Sequence, residues 1–468
     1  MKYVSTRGQA PALGFSDVLL AGLASDGGLY VPESWPALSA ETIAGFAGRP
    51  YHEVAFEIVR LFVDGEIADA DLKRMCVEAY AGFRHPAVAP LVQLGPGEWA
   101  LELFHGPTLA FKDFAMQLLA RLMDHVLAKR GERVTIIGAT SGDTGGAAVE
   151  AFRDRGNSDL FMLFPENRVS PFQQRQMTTA GADNVHAIAL KGTFDDCQAT
   201  VKAMFGNPVL RQRLSITAVN SINWARIVAQ IVYYFTAAVA LGAPGRKIAF
   251  TVPTGNFGDV YAGYVAKAMG LPVARLVIAT NVNDILARAL ATGRYALRAV
   301  TATASPSMDI QISSNFERLL FEVCGRDAAR IRRLMADLAT SGAFTIDPGP
   351  LAAIHADFAA GTADEAATAA TMREVFRDTG FLADPHTAVG LSVARAHLAL
   401  DVPMVTLSTA HPAKFPAAVE AAAGRRPEPP PGFAELLSKD EHFAILPNDR
   451  GAVEEFVMER ARAVADRV

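Results

Sequence analysis

The middle of the chain is written in short, continuous apolar runs, each closed by small or polar residues and followed by a longer segment of helical periodicity. The runs VTIIGAT (134–140), DLFMLFP (159–165), NVHAIAL (184–190), LSITAV (214–219), KIAFTVP (247–253), ARLVIAT (274–280) and VPMVTLS (402–408) all read this way. They lack the polar alternation of a strand with one wet face, so they predict parallel strands buried on both sides. Between and after them the pattern predicts helices from about 145, over 170–180, from Trp224, from near Phe257, through 313–341 and from about 416. Strands alternating with helices predict an α/β fold of doubly wound sheet in at least two pieces.

The flanks differ from this texture. The first ninety-odd residues combine a Gly-rich turn at 25–29 (SDGGL), proline punctuation at Pro32, Pro36 and Pro50, and an amphipathic run over 52–62, which together predict a mainly helical lobe. After a last strand at 402–408, the stretch 426–433 (RPEPPPGF) reads as a rigid Pro-rich connector to a helical tail. The expected division is 1–95, 96–425 with a smaller α/β lobe at about 134–220 and a larger lobe from the flanking segments, and 426–468. A chain of 468 residues is longer than one growing core supports, so a cleft between lobes is expected.

Composition narrows the function classes. Hydrophobic residues are 50 % and charged residues 20 %, the balance of a folded protein with a large core. A formal net charge of −5 without a Lys/Arg block argues against a nucleic-acid track or an anionic membrane surface and for a small-molecule partner. Cys76, Cys197 and Cys324 are too few and too far apart for a zinc site or a disulfide scaffold, so no metal is expected and a reducing, cytoplasmic setting is. The N-terminal MKYVSTRGQA has no apolar core of a targeting signal, and the most apolar helix candidate, 227–241, is too short to span a bilayer.

Three segments carry chemistry. Residues 140–146 (TSGDTGG) and 254–259 (TGNFGD) each follow a strand and open a helix, where small residues let backbone N–H groups and the helix N-terminus meet an anion. Neither is a Walker loop or a dinucleotide fingerprint, and each taken alone is equally readable as a plain glycine turn. The third, 105–114 (HGPTLAFKDF), sets one lysine, Lys112, in an apolar frame between Phe111 and Phe114. Desolvation there would free a neutral amine for imine chemistry; the plainer alternative is a snorkelling lysine paired with Asp113 or solvent. Two anion loops beside it favour the first.

HGPTLAFKDF, SGDTGGAA, GNFGD and STAHPAKF, in this order and spacing, resemble the threonine synthase family of fold type II pyridoxal-phosphate enzymes. The N-terminal STRG and LASDGGLYVPE and the segment SPSMDIQISSNFERL (305–319) are similar to its bacterial and fungal branch, so the likeness runs from residue 1 to about 425. The resemblance implies a tryptophan-synthase-β-like fold with a threonine-synthase-type N-terminal domain at 1–95. It assigns Lys112 to the Schiff-base linkage with pyridoxal 5'-phosphate, and Gly255, Asn256, Phe257, Gly258 and Asp259 to the cofactor phosphate, mostly through backbone amides. Thr409 matches the hydroxyl that meets the pyridine nitrogen.

Ser141, Gly142, Asp143 and Thr144 match the loop that takes the amino-acid carboxylate, although relatives often carry Asn where Asp143 stands, which leaves its role open. Asn220, Ser221, Asn223 and Arg226 (NSINWAR) resemble the segment near the substrate phosphate, where the fork of Arg226 suits an anion clamp and a plain ion pair is its alternative. His105, His386, His411 and Lys414 lie in or beside motifs and are not assigned roles.

The implied activity is that of a carbon–oxygen lyase of threonine biosynthesis: O-phospho-L-homoserine and water give L-threonine and phosphate by γ-elimination and β-hydration. The amine of Lys112 would move the α-proton once released from the cofactor. The alternatives are a threonine or serine dehydratase of the same fold type, or a threonine-synthase-like binding protein without catalysis. A nicotinamide oxidoreductase is disfavoured for want of its fingerprint. Monomer and homodimer both stay open.

Overall fold

The computed structural model describes residues 1–140, 142–433 and 435–464. A six-stranded sheet runs in the order Phe358–Thr362, Val273–Thr280, Ile248–Pro253, Met404–Ser408, Glu98–Glu102, Leu91–Gly95. All its neighbours are parallel except Leu91–Gly95, which closes one edge as a hairpin with Glu98–Glu102. A second, wholly parallel sheet of five strands runs Ala444–Pro447, Val185–Lys191, Ser158–Pro165, Val134–Ala139, Ile216–Thr217. Every residue of Ser158–Pro165 is buried, the two-faced burial its unbroken apolar run predicts.

The N-terminal segment is helical over Phe15–Ala21, Tyr51–Val63 and Asp69–Tyr80, with one antiparallel pair, Tyr3–Ser5 against Tyr30–Pro32. It packs on the helix Trp224–Ala240, whose Trp224 ring lies 6.0 Å from Tyr3 and 5.8 Å from Phe62. Among the described residues no helix is long and apolar enough to cross a membrane.

Several expectations change. The strand at 402–408 is not the last, because Ala444–Pro447 from the tail adds a parallel strand beside Val185–Lys191. Its alternating exposure and its proline hid it, and it pairs on one side only, as an edge strand does. The expected helix through 313–341 is two helices, Phe316–Val323 and Ala328–Ser341, broken where Gly325 and Arg326 take positive φ. Only Ile216 and Thr217 of the run 214–219 enter a sheet.

Topology gathers the motifs. In the large sheet, Ile248–Pro253, Met404–Ser408 and Glu98–Glu102 are consecutive parallel neighbours, so the segments leaving their carboxyl ends emerge side by side. Those segments are the turn at 254–257, the residues 409–411, and the stretch 103–111 that leads into the helix Lys112–Arg130. The crevice at strand carboxyl ends is the expected ligand site of an open α/β sheet.

Candidate active site

Lys112 occupies the first position of the helix Lys112–Arg130 because Leu109 takes a left-handed turn (φ 64) and the Phe111 N–H donates to the Thr409 carbonyl at 2.8 Å. The residue is 8 % exposed. Asp113 is not its partner: that carboxylate accepts from the Thr108 hydroxyl at 2.6 Å and the Thr108 N–H at 2.8 Å, and burial pushes its pKa up to about 6. Lys112 Nζ instead lies 3.4 Å from Asp143 Oδ2, 3.5 Å from Ser307 Oγ and 5.0 Å from the Phe111 ring centre. These contacts are long, so the amine is buried yet loosely held. Burial lowers its pKa; Asp143 opposes the drop, and Lys414 and Arg226 add to it.

Asp143 begins the helix Asp143–Phe152, capped by Gly142 at φ 144, a conformation a side chain would strain. A Cβ at Gly142 would also lie 2.5 Å from Gln173. The Thr140 hydroxyl accepts from the N–H groups of Gly142 and Gly145, both at 2.9 Å, which folds the loop over itself. Ser141, a predicted substrate residue, lies outside the described residues. Thr144 sits half-buried in the first helical turn. The Asp143 carboxylate is shared by Lys414 Nζ at 2.9 Å, Gln173 Nε2 at 2.9 Å, Lys112 and Ser307 Oγ. Burial alone would raise its pKa, but the charges of Lys414 and Lys112, with the hydrogen bond from Gln173, outweigh that and hold it well below the ordinary carboxylate range.

The loop after Ile248–Pro253 turns through Phe257 in a left-handed conformation (φ 63), and Gly258 opens the helix Gly258–Ala268. The first N–H groups of a helix have no helical acceptor and make an anion site. Gly255 is pressed against the neighbouring segment: a Cβ there would lie 2.6 Å from the Ser307 carbonyl. Asn256 and Gly255 are held through their carbonyls, which accept from Asn315 Nδ2 at 2.9 Å and Ser313 Oγ at 2.6 Å. The Asp259 side chain points away from the loop, receiving Tyr233 at 2.5 Å and Tyr234 at 3.1 Å in the core. Burial there lifts its pKa to about 7. Any role of Asp259 toward an anion therefore falls to its backbone.

Thr409 follows Met404–Ser408 and is 5 % exposed. Arg226, in the first turn of Trp224–Ala240, is 3 % exposed and donates to the Val219 carbonyl at 3.3 Å, while its Nε has no partner among the described residues. Burial lowers its pKa to about 10. A guanidinium this deep, with no carboxylate paired to it among the described residues, is costly on its own and suits a ligand anion. In the same segment Asn223 caps that helix and donates to the Leu19 carbonyl, the Ser221 carbonyl accepts from Asn315, and Asn220 is exposed with its side chain turned to the Ile222 N–H.

Among the unassigned candidates, His386 accepts the Ser307 N–H on Nε2 at 3.2 Å, so its proton sits on Nδ1, which donates to Asp384 at 2.8 Å. His105 pairs with Glu102, and His411 accepts from the Ala413 N–H, its pKa lowered by burial to about 4. Ser307, Gln173 and Gln176 were not foreseen. Only the placement of Ser307 in the segment 305–319 hinted at it, and no pattern in the chain marks the two glutamines. Among the described residues no group of three His, Cys, Asp or Glu side chains converges on a metal position.

Comparison with known proteins agrees with this arrangement. The family profiles "Threonine synthase N terminus", "Pyridoxal-phosphate dependent enzyme" and "Threonine synthase, C-terminal" match residues 2–80, 84–356 and 387–457. A threonine synthase of Pseudomonas aeruginosa is 56 % identical over 98 % of both chains. The crystal structure of a pyridoxal-phosphate-bound threonine synthase from Brucella melitensis is 60 % identical with a TM-score of 0.97, covering 99 % of this chain and 100 % of that one. The yeast threonine synthase structure is 37 % identical with a TM-score of 0.93 over 98 % of each. With its lysine, its two anion loops and their order along the chain, this protein belongs to the threonine synthase family of pyridoxal-phosphate-dependent enzymes.

Proposed function

We propose that this member of the family converts O-phospho-L-homoserine and water to L-threonine and phosphate, with Lys112 as the cofactor-bearing lysine. One observation carries it: a buried, loosely held amine lies within the electrostatic reach of a buried arginine with no carboxylate partner among the described residues, beside two loops that open helices. A substrate with both a carboxylate and a phosphate, in addition to the cofactor phosphate, would use all of these groups.

The residues fit pyridoxal phosphate, because the cradle at 254–258 is closed by a contact that only glycine at 255 permits and ends in unpaired first-turn N–H groups. Bound there, the cofactor would supply an electron sink for charge developing at the substrate Cα. Lys112 would hold it through its amine. Gly255, Asn256, Phe257, Gly258 and Asp259 would meet its phosphate through backbone N–H groups, and the Thr409 hydroxyl its ring nitrogen.

For the substrate, Ser141, Gly142 and Thr144 would take the carboxylate at the helix N-terminus. Arg226 would clamp the γ-phosphate, and charge-assisted contacts of this kind contribute roughly 1.5–3 kcal/mol each. Asn220 and Ser221 would shape that end of the site. Lys112, displaced by the substrate amine and held toward its neutral form by burial and by Arg226 and Lys414, would remove the Cα proton. Asp143, which stays charged, would stabilise Lys112 when it has taken that proton. The cleft would exclude bulk water until one molecule adds at Cβ.

The same reading divides the chain into an N-terminal domain at 1–95, a catalytic region at 96–425 and a tail at 426–468. It also places the protein in the cytoplasm, where unpaired Cys76, Cys197 and Cys324 suit a reducing setting. The test is product analysis. With cofactor bound, O-phospho-L-homoserine should give threonine and phosphate in equal amounts, and L-threonine or L-serine offered alone should yield little oxo acid. Faster oxo-acid release from the free amino acids would replace this reading with a dehydratase.

A further inference from the structure

Two buried lysines face one carboxylate, and they are held in different ways. Lys414 has no exposed surface; Nζ donates to the Thr108 carbonyl at 2.8 Å and to Gln176 Oε1 at 2.9 Å, and forms an ion pair with Asp143 Oδ1 at 2.9 Å. Two short hydrogen bonds and a close ion pair hold this ammonium in one place. Lys112 approaches the other oxygen of Asp143 at 3.4 Å with no shorter hydrogen bond. One lysine is fixed and the other is free to leave.

The proposed reaction needs this difference. When Lys112 acts as a neutral base, it no longer supplies a cation to Asp143. A buried carboxylate without a counter-ion would take up a proton or draw a charge back from Lys112. Lys414 also ties the lobes together: Asp143 and Gln176 belong to helices Asp143–Phe152 and Pro171–Thr178 flanking the five-stranded sheet, while Lys414 and Thr108 follow strands of the six-stranded one.

We propose that Lys414 is a positioning residue, the fixed counter-ion that keeps Asp143 charged and in place across the cleft so that Lys112 can serve as a neutral amine. The inference rests on Lys112 being the amine that takes the cofactor. The charged and titratable groups facing this cluster include Lys112, Arg226, His386, His411 and Asp113, alongside Asp143 and Lys414 themselves.

The test reads the protonation of Lys112 in apo-protein. Purified protein stripped of cofactor is mixed with pyridoxal phosphate across a pH series, and the rate of Lys112 linkage is followed by absorbance. The midpoint of that rate against pH reports the neutral fraction of the amine. In Lys414→Met, Lys112 becomes the sole cation of Asp143, so the midpoint should rise by about one unit or more. In Asp143→Asn, Lys112 keeps the fixed cation and loses the carboxylate, so the midpoint should fall. The double variant should return to within about half a unit of wild type.

Opposite shifts in the two single variants support the counter-ion role. Should Lys414→Met fail to fold, the fall in Asp143→Asn decides alone, and a midpoint unmoved there overturns the proposal. Unchanged midpoints with only a lower melting temperature would leave Lys414 a packing residue and overturn it too. A wild-type protein that forms no linkage at any pH would instead overturn the assignment of Lys112, and this inference with it.

Discussion

Gly255→Ala tests the cofactor cradle most sharply. A Cβ at this position would meet the Ser307 carbonyl at 2.6 Å, with Met308 Cα and Ile310 Cδ1 both at 3.6 Å closing the adjoining space. The gap has to open to at least 3.4 Å, the lower edge of ordinary contact. Neither wall yields readily: Ser307 is anchored by its N–H to His386, and the Gly255 carbonyl accepts from Ser313 at 2.6 Å. Forced overpacking of this size costs about 1–3 kcal/mol. If the strain is relieved by displacing the loop, it emerges as weaker cofactor binding, about 5- to 150-fold in Kd. Titration of apo-protein with pyridoxal phosphate measures that directly, and thermal unfolding of the apo-protein shows how much strain stays in the fold. Gly82→Ala, where a Cβ meets nothing within 4 Å, is the control and should change neither. A Gly255→Ala protein with wild-type Kd and melting temperature would refute the claim that this contact shapes the cradle.

Other expectations follow from burial and charge. Arg226→Met removes a buried guanidinium whose Nε has no partner among the described residues, so KM for O-phospho-L-homoserine should rise at least about tenfold while the apo-protein melts no lower than wild type. A melting temperature lowered by more than about 5 °C with KM unchanged would make Arg226 structural instead. Asp259 has a folded pKa of about 7 against an ordinary aspartate value of 3.8, so the folded state holds its proton where the unfolded chain has released it. Its contribution therefore falls as pH rises from about 4 to 7 and stays lost above. Asp259→Asn should gain stability relative to wild type across that window in urea unfolding, and a parallel pair of pH curves would count against the burial argument.

The parts of the site that were legible in the chain are local ones. Lys112 in its apolar frame was readable only together with the loops at 140–146 and 254–259, whose small residues lie between a strand and a helix. Each is a property of a few adjacent residues. Lys414 and Asp143 are 2.9 Å apart in space and far apart in the chain, and Ser307 reaches the same cluster from a third segment, so no spacing rule connects them. Asp259 misleads for a different reason: within its motif it looks like a loop residue, but the helical turn it begins carries its side chain into the tyrosine-lined core. In the fold, buried parallel strands were readable from unbroken apolar runs. The edge strands Leu91–Gly95 and Ala444–Pro447 were not, because half-exposed edges mix polar and apolar residues and borrow their order from a partner. The break between Phe316–Val323 and Ala328–Ser341 was written in Gly325, yet a single glycine is also tolerated inside helices.

The assignment of Lys112 is open to one direct measurement. Protein loaded with pyridoxal phosphate is reduced with borohydride, digested, and mapped by mass spectrometry. The expected result is a pyridoxyl group on the peptide containing Lys112 alone, and none there in Lys112→Ala. A label on Lys414 or on another lysine in place of Lys112 would contradict it.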